Sequence, residues 1–145
     1  MTFRGAGASP TNVTITGGSL NGTNLTNASV TFIPYTPTVT AGAGTLTTAS
    51  ATGRYARIGN RVTVLMTITV TNNGTGATYI LTSLPTPPAN SFNAFAGRAT
   101  AVSGSMLQGV TTTAGNSAVF IFTYANLYPA ATGETMLLSG VYESL

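Results

Sequence analysis

Few side chains in this 145-residue sequence can do chemistry: two carboxylates, Glu134 and Glu143, and five arginines, with no Lys, Asp, His, Cys or Trp. A carboxylate pair is the acid and base of a glycosidase, which holds the two groups roughly 5–10 Å apart. Nine residues of extended strand would separate Glu134 from Glu143 by roughly 30 Å, so one chain cannot assemble that pair. A cap, a rim ion pair or plain solvation is the simpler role for each. Without His or Cys there is no imidazole base, thiolate nucleophile or ordinary zinc site, and without Lys there is no Schiff base. The sequence therefore reads as non-enzymatic, with no cofactor and no metal.

Binding chemistry is left to arginines, amides, hydroxyls and tyrosines. Arg54, Arg57 and Arg61 form the one local concentration of charge. Guanidinium groups make paired hydrogen bonds to phosphate or carboxylate, so Arg57 and Arg61 are candidates for contact with an anionic polymer or phosphate. Solubility of the turn between them, or pairing with the glutamates, is the structural alternative. The loops at Asn72–Ala77, Asn90–Asn93 and Asn126–Tyr128 are candidate sugar-binding surfaces, with Asn73 and Tyr128 as the residues to test; ordinary turn chemistry is the competing account. Tyr79, Tyr124 and Tyr142 read as core or sheet residues. A net charge of +3 on scattered arginines is no nucleic-acid footprint. No signal-peptide core opens the chain and no apolar run is long enough for a membrane span, so membrane insertion is not expected. The absence of cysteine accords with synthesis in a bacterial cytoplasm. Asn-x-Thr/Ser triplets at Asn12, Asn21, Asn24, Asn27 and Asn73 are products of a composition holding 29 Thr and 11 Asn.

That composition, rich in Thr, Gly, Ser and Asn and almost free of Glu, Lys and Gln, predicts an all-β protein. The clearest strand lies within Tyr55–Thr71, where Val62, Val64, Met66, Ile68 and Val70 recur at every second position, mostly alternating with threonine. Leu46–Arg57 should return as its hairpin partner through Ile58-Gly59-Asn60-Arg61. Two registers are open: a two-residue loop sets Arg57 opposite Val62, a longer one sets Ile58 there. The longer loop is expected, because it buries Ile58 and keeps a charge out of the core. Further strands are expected at Thr38–Thr40, Thr78–Thr82, Asn93–Ser103, Ser105–Val110, Ala118–Tyr124 and Thr135–Tyr142. Bulk on both faces of Ala118–Tyr124 suggests a central strand covered on both sides. Leu84-Pro85-Thr86-Pro87-Pro88 reads as a crossing between sheets or a rigid exposed loop. Seven to nine short strands describe an antiparallel β-sandwich, jelly-roll-like, over residues 34–145.

Residues 1–33 differ in character. Met1–Pro10 reads as an extended arm, and beyond it Ile15, Leu20, Leu25 and Val30 recur every five positions. Five is neither the helix nor the strand period; it matches solenoid coils that turn one aliphatic residue per side to an axis. One turn of solenoid cannot bury its own row, so the row needs the following domain or other subunits. The alternative is a polar linker whose spacing is accidental. Pro34 and Pro37 mark the boundary and restrict this stretch to a connector or an edge strand.

Three stretches resemble parts of bacteriophage tail-fibre, head-fibre and spike proteins that bind receptors. Phe3-Arg4-Gly5-Ala6-Gly7-Ala8-Ser9-Pro10, with the spaced aliphatics behind it, is similar to segments that attach fibres to a virion. Tyr55, Ile58-Gly59, Val62 and Val64 resemble a hairpin of small tail-protein β-sandwiches, and Leu138-Ser139-Gly140-Val141-Tyr142-Glu143 resembles their ending. The resemblance implies a homotrimer in the virion, joined through residues 1–33 to other virion proteins and facing a host cell-surface glycan with the C-terminal domain. It supplies no catalytic residue. A capsid decoration, collar or fibre-base protein without a receptor is the second reading.

Overall fold

A computed structural model describes residues 30–145. The expectations placed on Met1–Pro10 and on Ile15, Leu20 and Leu25 lie outside these residues. Nine strands follow in order: β1 Ile33–Tyr35, β2 Val39–Ala43, β3 Thr48–Ile58, β4 Arg61–Asn72, β5 Ala77–Ser83, β6 Ala94–Ala99, β7 Met106–Val110, β8 Ala118–Thr123 and β9 Glu134–Glu143. The all-β antiparallel expectation holds, and the strands belong to one hydrogen-bonded sheet in the order β1-β3-β4-β9-β6-β7-β8-β5-β2. Its two edge strands are consecutive in the chain. Only Thr36, Pro37 and Thr38 connect β1 to β2, and four peptide steps reach about 15 Å at most. The sheet must therefore curl until its edges approach, and β2 comes to lie against β3.

Curling gives the sheet an inner face that holds the core. On β4 the inner residues are Val62, Val64, Met66, Ile68 and Val70, all at most 2 % exposed. At about 1.5–3 kcal/mol per buried side chain, this strand alone contributes on the order of 10 kcal/mol before entropy is counted. Ile80, Phe95, Ala99, Leu107, Val119, Ile121, Met136, Leu138 and Tyr142 complete the cluster. Glycines make room where strands carry bulk: a Cβ on Gly140 would stand 2.3 Å from the Phe95 ring. With a single sheet, the proline-rich stretch does not cross between sheets. It carries the chain from β5 to β6 over one end of the sheet, with Leu84 and Pro88 buried beneath it. Pro34 sits in β1, on an edge, where its missing N–H costs no ladder bond.

Besides Tyr124, expected in the core or sheet but 79 % exposed beyond the end of β8, two finer expectations need correction. Arg57 pairs with Val62 and Ile58 with Arg61, so the β3–β4 turn is the two-residue loop Gly59-Asn60. Gly59 takes φ +59°, as a two-residue hairpin turn with glycine first requires. The argument for the longer loop assumed that a residue opposite Val62 is buried. That pair lies at the open end of the sheet, however, where the Arg57 side chain stays exposed and donates from Nε to the Gly59 carbonyl at 2.7 Å. Ile58 faces outward and is 66 % exposed. The second correction concerns β8, which is internal to the sheet but has no second layer over it. Phe120 and Phe122 are half-buried on the outer face by Tyr79, whose ring centroid lies 5.0 and 5.6 Å from theirs.

Candidate recognition surfaces

The strand directions send the candidate residues to opposite ends of the sheet. Asn73 and Tyr128 share one end, with the β4–β5 and β8–β9 loops. Arg57 and Arg61 flank the Gly59-Asn60 turn at the other. No single site contains all four.

At the first end the Asn73 amide is fully employed. Its Oδ1 accepts from the Tyr128 hydroxyl, its Nδ2 donates to the Gly76 carbonyl at 3.0 Å, and its backbone N–H donates to Thr132 Oγ1 at 3.1 Å. Gly76 is confined between these groups, since a Cβ there would meet the Tyr128 hydroxyl at 2.7 Å and Leu46 at 2.8 Å. Burial raises the Tyr128 phenol above its ordinary pKa of 10.0. Asn73 and Tyr128 thus lock the loop at Asn72–Ala77 to the β8–β9 connection. Asn126 is likewise engaged, accepting from Gln108 Nε2.

Glu134 supports the same end from inside. It is fully buried, yet no cation meets it among its hydrogen-bond partners; its carboxylate accepts the backbone N–H groups of Ala101, Val102, Ser103 and Thr135 at 2.8–3.1 Å. Burial pushes its pKa up, and the hydrogen bonds from Ser103, Val102 and Ala101 outweigh burial and hold it below the ordinary 4.5. This carboxylate caps the β6–β7 loop. Its partner in the glycosidase hypothesis, Glu143, is exposed at the far end of β9 on the opposite face and accepts from Asn90 Nδ2 at 3.2 Å.

At the second end, Arg61 is the cross-strand partner of Glu143, an arrangement that favours the β4–β9 ladder. The loop at Asn90–Asn93 also turns its amides inward, Asn93 Nδ2 donating to the Asn90 carbonyl and to Thr111 Oγ1. What it shows to water is Phe92, 75 % exposed and held at φ +59°. That backbone region is uncommon for a bulky residue, and the Phe92 N–H is fixed to the Thr111 carbonyl at 2.7 Å.

No local stretch of sequence announces a groove of about 830 Å³ that runs across the outer face of β3, β4, β9, β6 and β7. Its apolar residues are Leu65, Leu137 and Met106, with Pro34 at the edge; Arg54 stands beside Leu65, and Arg98 lies between Leu137 and Met106. Leu137 is 45 % and Met106 59 % exposed. Register explains their meeting. Arg54 lies opposite Leu65, Thr67 opposite Leu137, Leu137 opposite Arg98, and Arg98 opposite Met106. The apolar side chains come from three separate strands, so no one stretch of sequence carries the pattern. Beside the groove, Arg54 lies over the Phe32 ring at 5.7 Å. Val30 and Phe32 pack on the same outer face against Ala56, Ile58 and Thr63. No family model, curated protein or solved structure matches this chain.

Proposed function

We propose that the chain is a non-enzymatic subunit of a bacteriophage fibre or spike, assembled as a homotrimer in the virion, whose C-terminal domain of jelly-roll-like sandwich type attaches to carbohydrate on the bacterial envelope. The observation that carries this reading is the uncovered apolar outer face. Leu65, Leu137 and Met106 lie on a side of the sheet that no other element covers among the described residues, and a subunit of a larger assembly is the usual owner of such a surface. The composition supports attachment to sugar rather than to a charged polymer alone, because hydroxyls and amides dominate the surface and exposed rings such as Tyr124 and Phe92 offer flat apolar faces. Weak sites repeated on a trimer would gain through avidity. Residues 1–33 would join the subunit to other virion proteins.

The test is retention of the labelled full chain on a panel of bacteria before and after periodate oxidation of surface sugars. Retention on untreated cells that falls after oxidation is expected. Equal retention on both, or none on any strain, refutes attachment to carbohydrate. One observation favours the architectural alternative: the amides of Asn73, Asn93 and Asn126 are all engaged within the chain. A fibre-base or decoration protein would bind only virion components, and the same panel would then show no retention.

A further inference from the structure

Arg54 and Arg98 carry charges that this chain has no means to neutralise. The sequence holds two side-chain carboxylates. Glu134 is buried and engaged by four backbone N–H groups, and Glu143 sits opposite Arg61 and accepts from Asn90. Four residues of β9 separate Glu143 from Ser139 in the groove, a distance of about 13 Å. An anion for either guanidinium therefore has to come from outside the chain, and a second copy brings the same net charge of +3. We propose that the outer groove binds an acidic polysaccharide, with one ring carboxylate at Arg98 and another at Arg54. The inference rests on the carbohydrate-attachment reading above and names its site and its class of sugar.

Register sets out what surrounds each guanidinium. Arg98 has Leu137 on one side and Met106 on the other, and Arg54 has Leu65 on one side and Pro34 on the other. The two triplets run in opposite directions from the adjacent strands β4 and β9. Arg54 and Arg98 are three strands apart and two residues out of row, which puts their Cα atoms roughly 16 Å from each other. Between them stand the hydroxyls of Thr67 and Ser139. Arg54 is also steered by the Phe32 ring at 5.7 Å, a contact with the face of the guanidinium charge that leaves its N–H donors available.

Each part of this pattern narrows the choice of ligand. A guanidinium holds a carboxylate through two parallel hydrogen bonds. A sugar acid carries that carboxylate on the ring itself, so the C–H face of the same ring falls within one strand spacing, about 4.8 Å, of an aliphatic neighbour. Hydroxyls between the arginines match the hydroxyls of the intervening sugar units. A lipid tail or an apolar helix would need an unbroken apolar strip, and Arg98 interrupts it. Two like sites in one groove suit a polymer whose acid group recurs. Both arginines are exposed, so the attraction is of the kind that salt screens.

The test is calorimetric titration of the full-length chain with polygalacturonate at low and high NaCl, beside uncharged dextran and polyglutamate. Arg54→Gln and Arg98→Gln should each weaken polygalacturonate binding about three- to tenfold, high salt should weaken it in the wild type, and dextran should bind less tightly. Arg57→Gln/Arg61→Gln, which alters the other pair of arginines, should have the smaller effect. All four side chains are exposed, and thermal unfolding checks that each variant is folded. Polyglutamate bound as tightly as polygalacturonate would assign the groove to an acidic polypeptide and overturn the proposal. So would no binding of polygalacturonate, or losses from Arg54→Gln and Arg98→Gln no larger than from the other pair. The cell panel separates this inference from the reading beneath it. Periodate-sensitive retention that Arg54→Gln/Arg98→Gln leaves unchanged would move the sugar site out of the groove and keep attachment to carbohydrate; no retention of the wild type would remove that attachment and the groove's assignment with it.

Discussion

Replacing Glu134 with glutamine tests the claim that one buried carboxylate holds the β6–β7 loop. The four N–H groups that it accepts come from Ala101, Val102, Ser103 and Thr135. Hydrogen bonds to a charged group contribute about 1.5–3 kcal/mol each, but they do not add here, because Ala101, Val102 and Ser103 are exposed and their N–H groups can return to water. Glutamine keeps one oxygen for the Oε1 contacts and presents an amide to the Ser103 N–H, setting donor against donor. Glu134→Gln should therefore cost about 2–3 kcal/mol at pH 7. The pH dependence follows from the direction of the shift. The folded pKa lies below the ordinary 4.5, so the stabilisation is complete above the unfolded value and is lost as pH falls through the folded one. Urea unfolding at pH 7, 5 and 3 should show the wild-type advantage over Glu134→Gln shrinking toward zero at the acid end. With only two side-chain carboxylates in the sequence, Glu143→Gln serves as the control and should leave the acid sensitivity in place. An advantage that is absent at pH 7, or undiminished at pH 3, would refute the reasoning.

Other outcomes can be checked by the same unfolding assay. Gly140→Ala should destabilise by about 1–3 kcal/mol, because the new methyl meets the Phe95 ring at 2.3 Å. The observed hairpin register predicts that Ile58→Thr changes stability by less than about 0.5 kcal/mol, whereas Val62→Ala costs about 1–3 kcal/mol; a reversed order would favour the longer loop. Among the described residues the buried Tyr35 hydroxyl has no hydrogen-bond partner, so Tyr35→Phe should be neutral or stabilise by about 1 kcal/mol, and a measurable loss of stability would mean the hydroxyl has a partner. Asn73→Ala should loosen the β4–β5 loop and lower stability by about 1–2 kcal/mol, with faster amide exchange at Gly74 and Gly76 as the local readout.

Much of this molecule could be read from local chemistry. Alternation of Val62, Val64, Met66, Ile68 and Val70 announces β4 and its buried face, because side chains two apart in a strand share a side and burial rewards the apolar set. Gly, Asn and Pro punctuate the remaining strands, and the antiparallel all-β class follows. The hairpin register was misjudged because hydrophobicity alone does not reveal that a position opposite a buried valine lies at the open end of a sheet, where an arginine can reach water. Glu134 gave no sign of its environment, since three of its four partners are backbone N–H groups more than thirty residues earlier.

Which strands are neighbours was settled only in three dimensions. A strand's own sequence specifies its two faces but carries no label for the strand beside it; adjacency is chosen by the joint packing of all inner faces and by the short β1–β2 link that makes the sheet curl. The groove depends on that choice. Leu65, Leu137 and Met106 come from β4, β9 and β7, and each is an unremarkable outward apolar residue until the order β4-β9-β6-β7 brings them onto one surface, with Arg54 beside Leu65 and Arg98 between Leu137 and Met106.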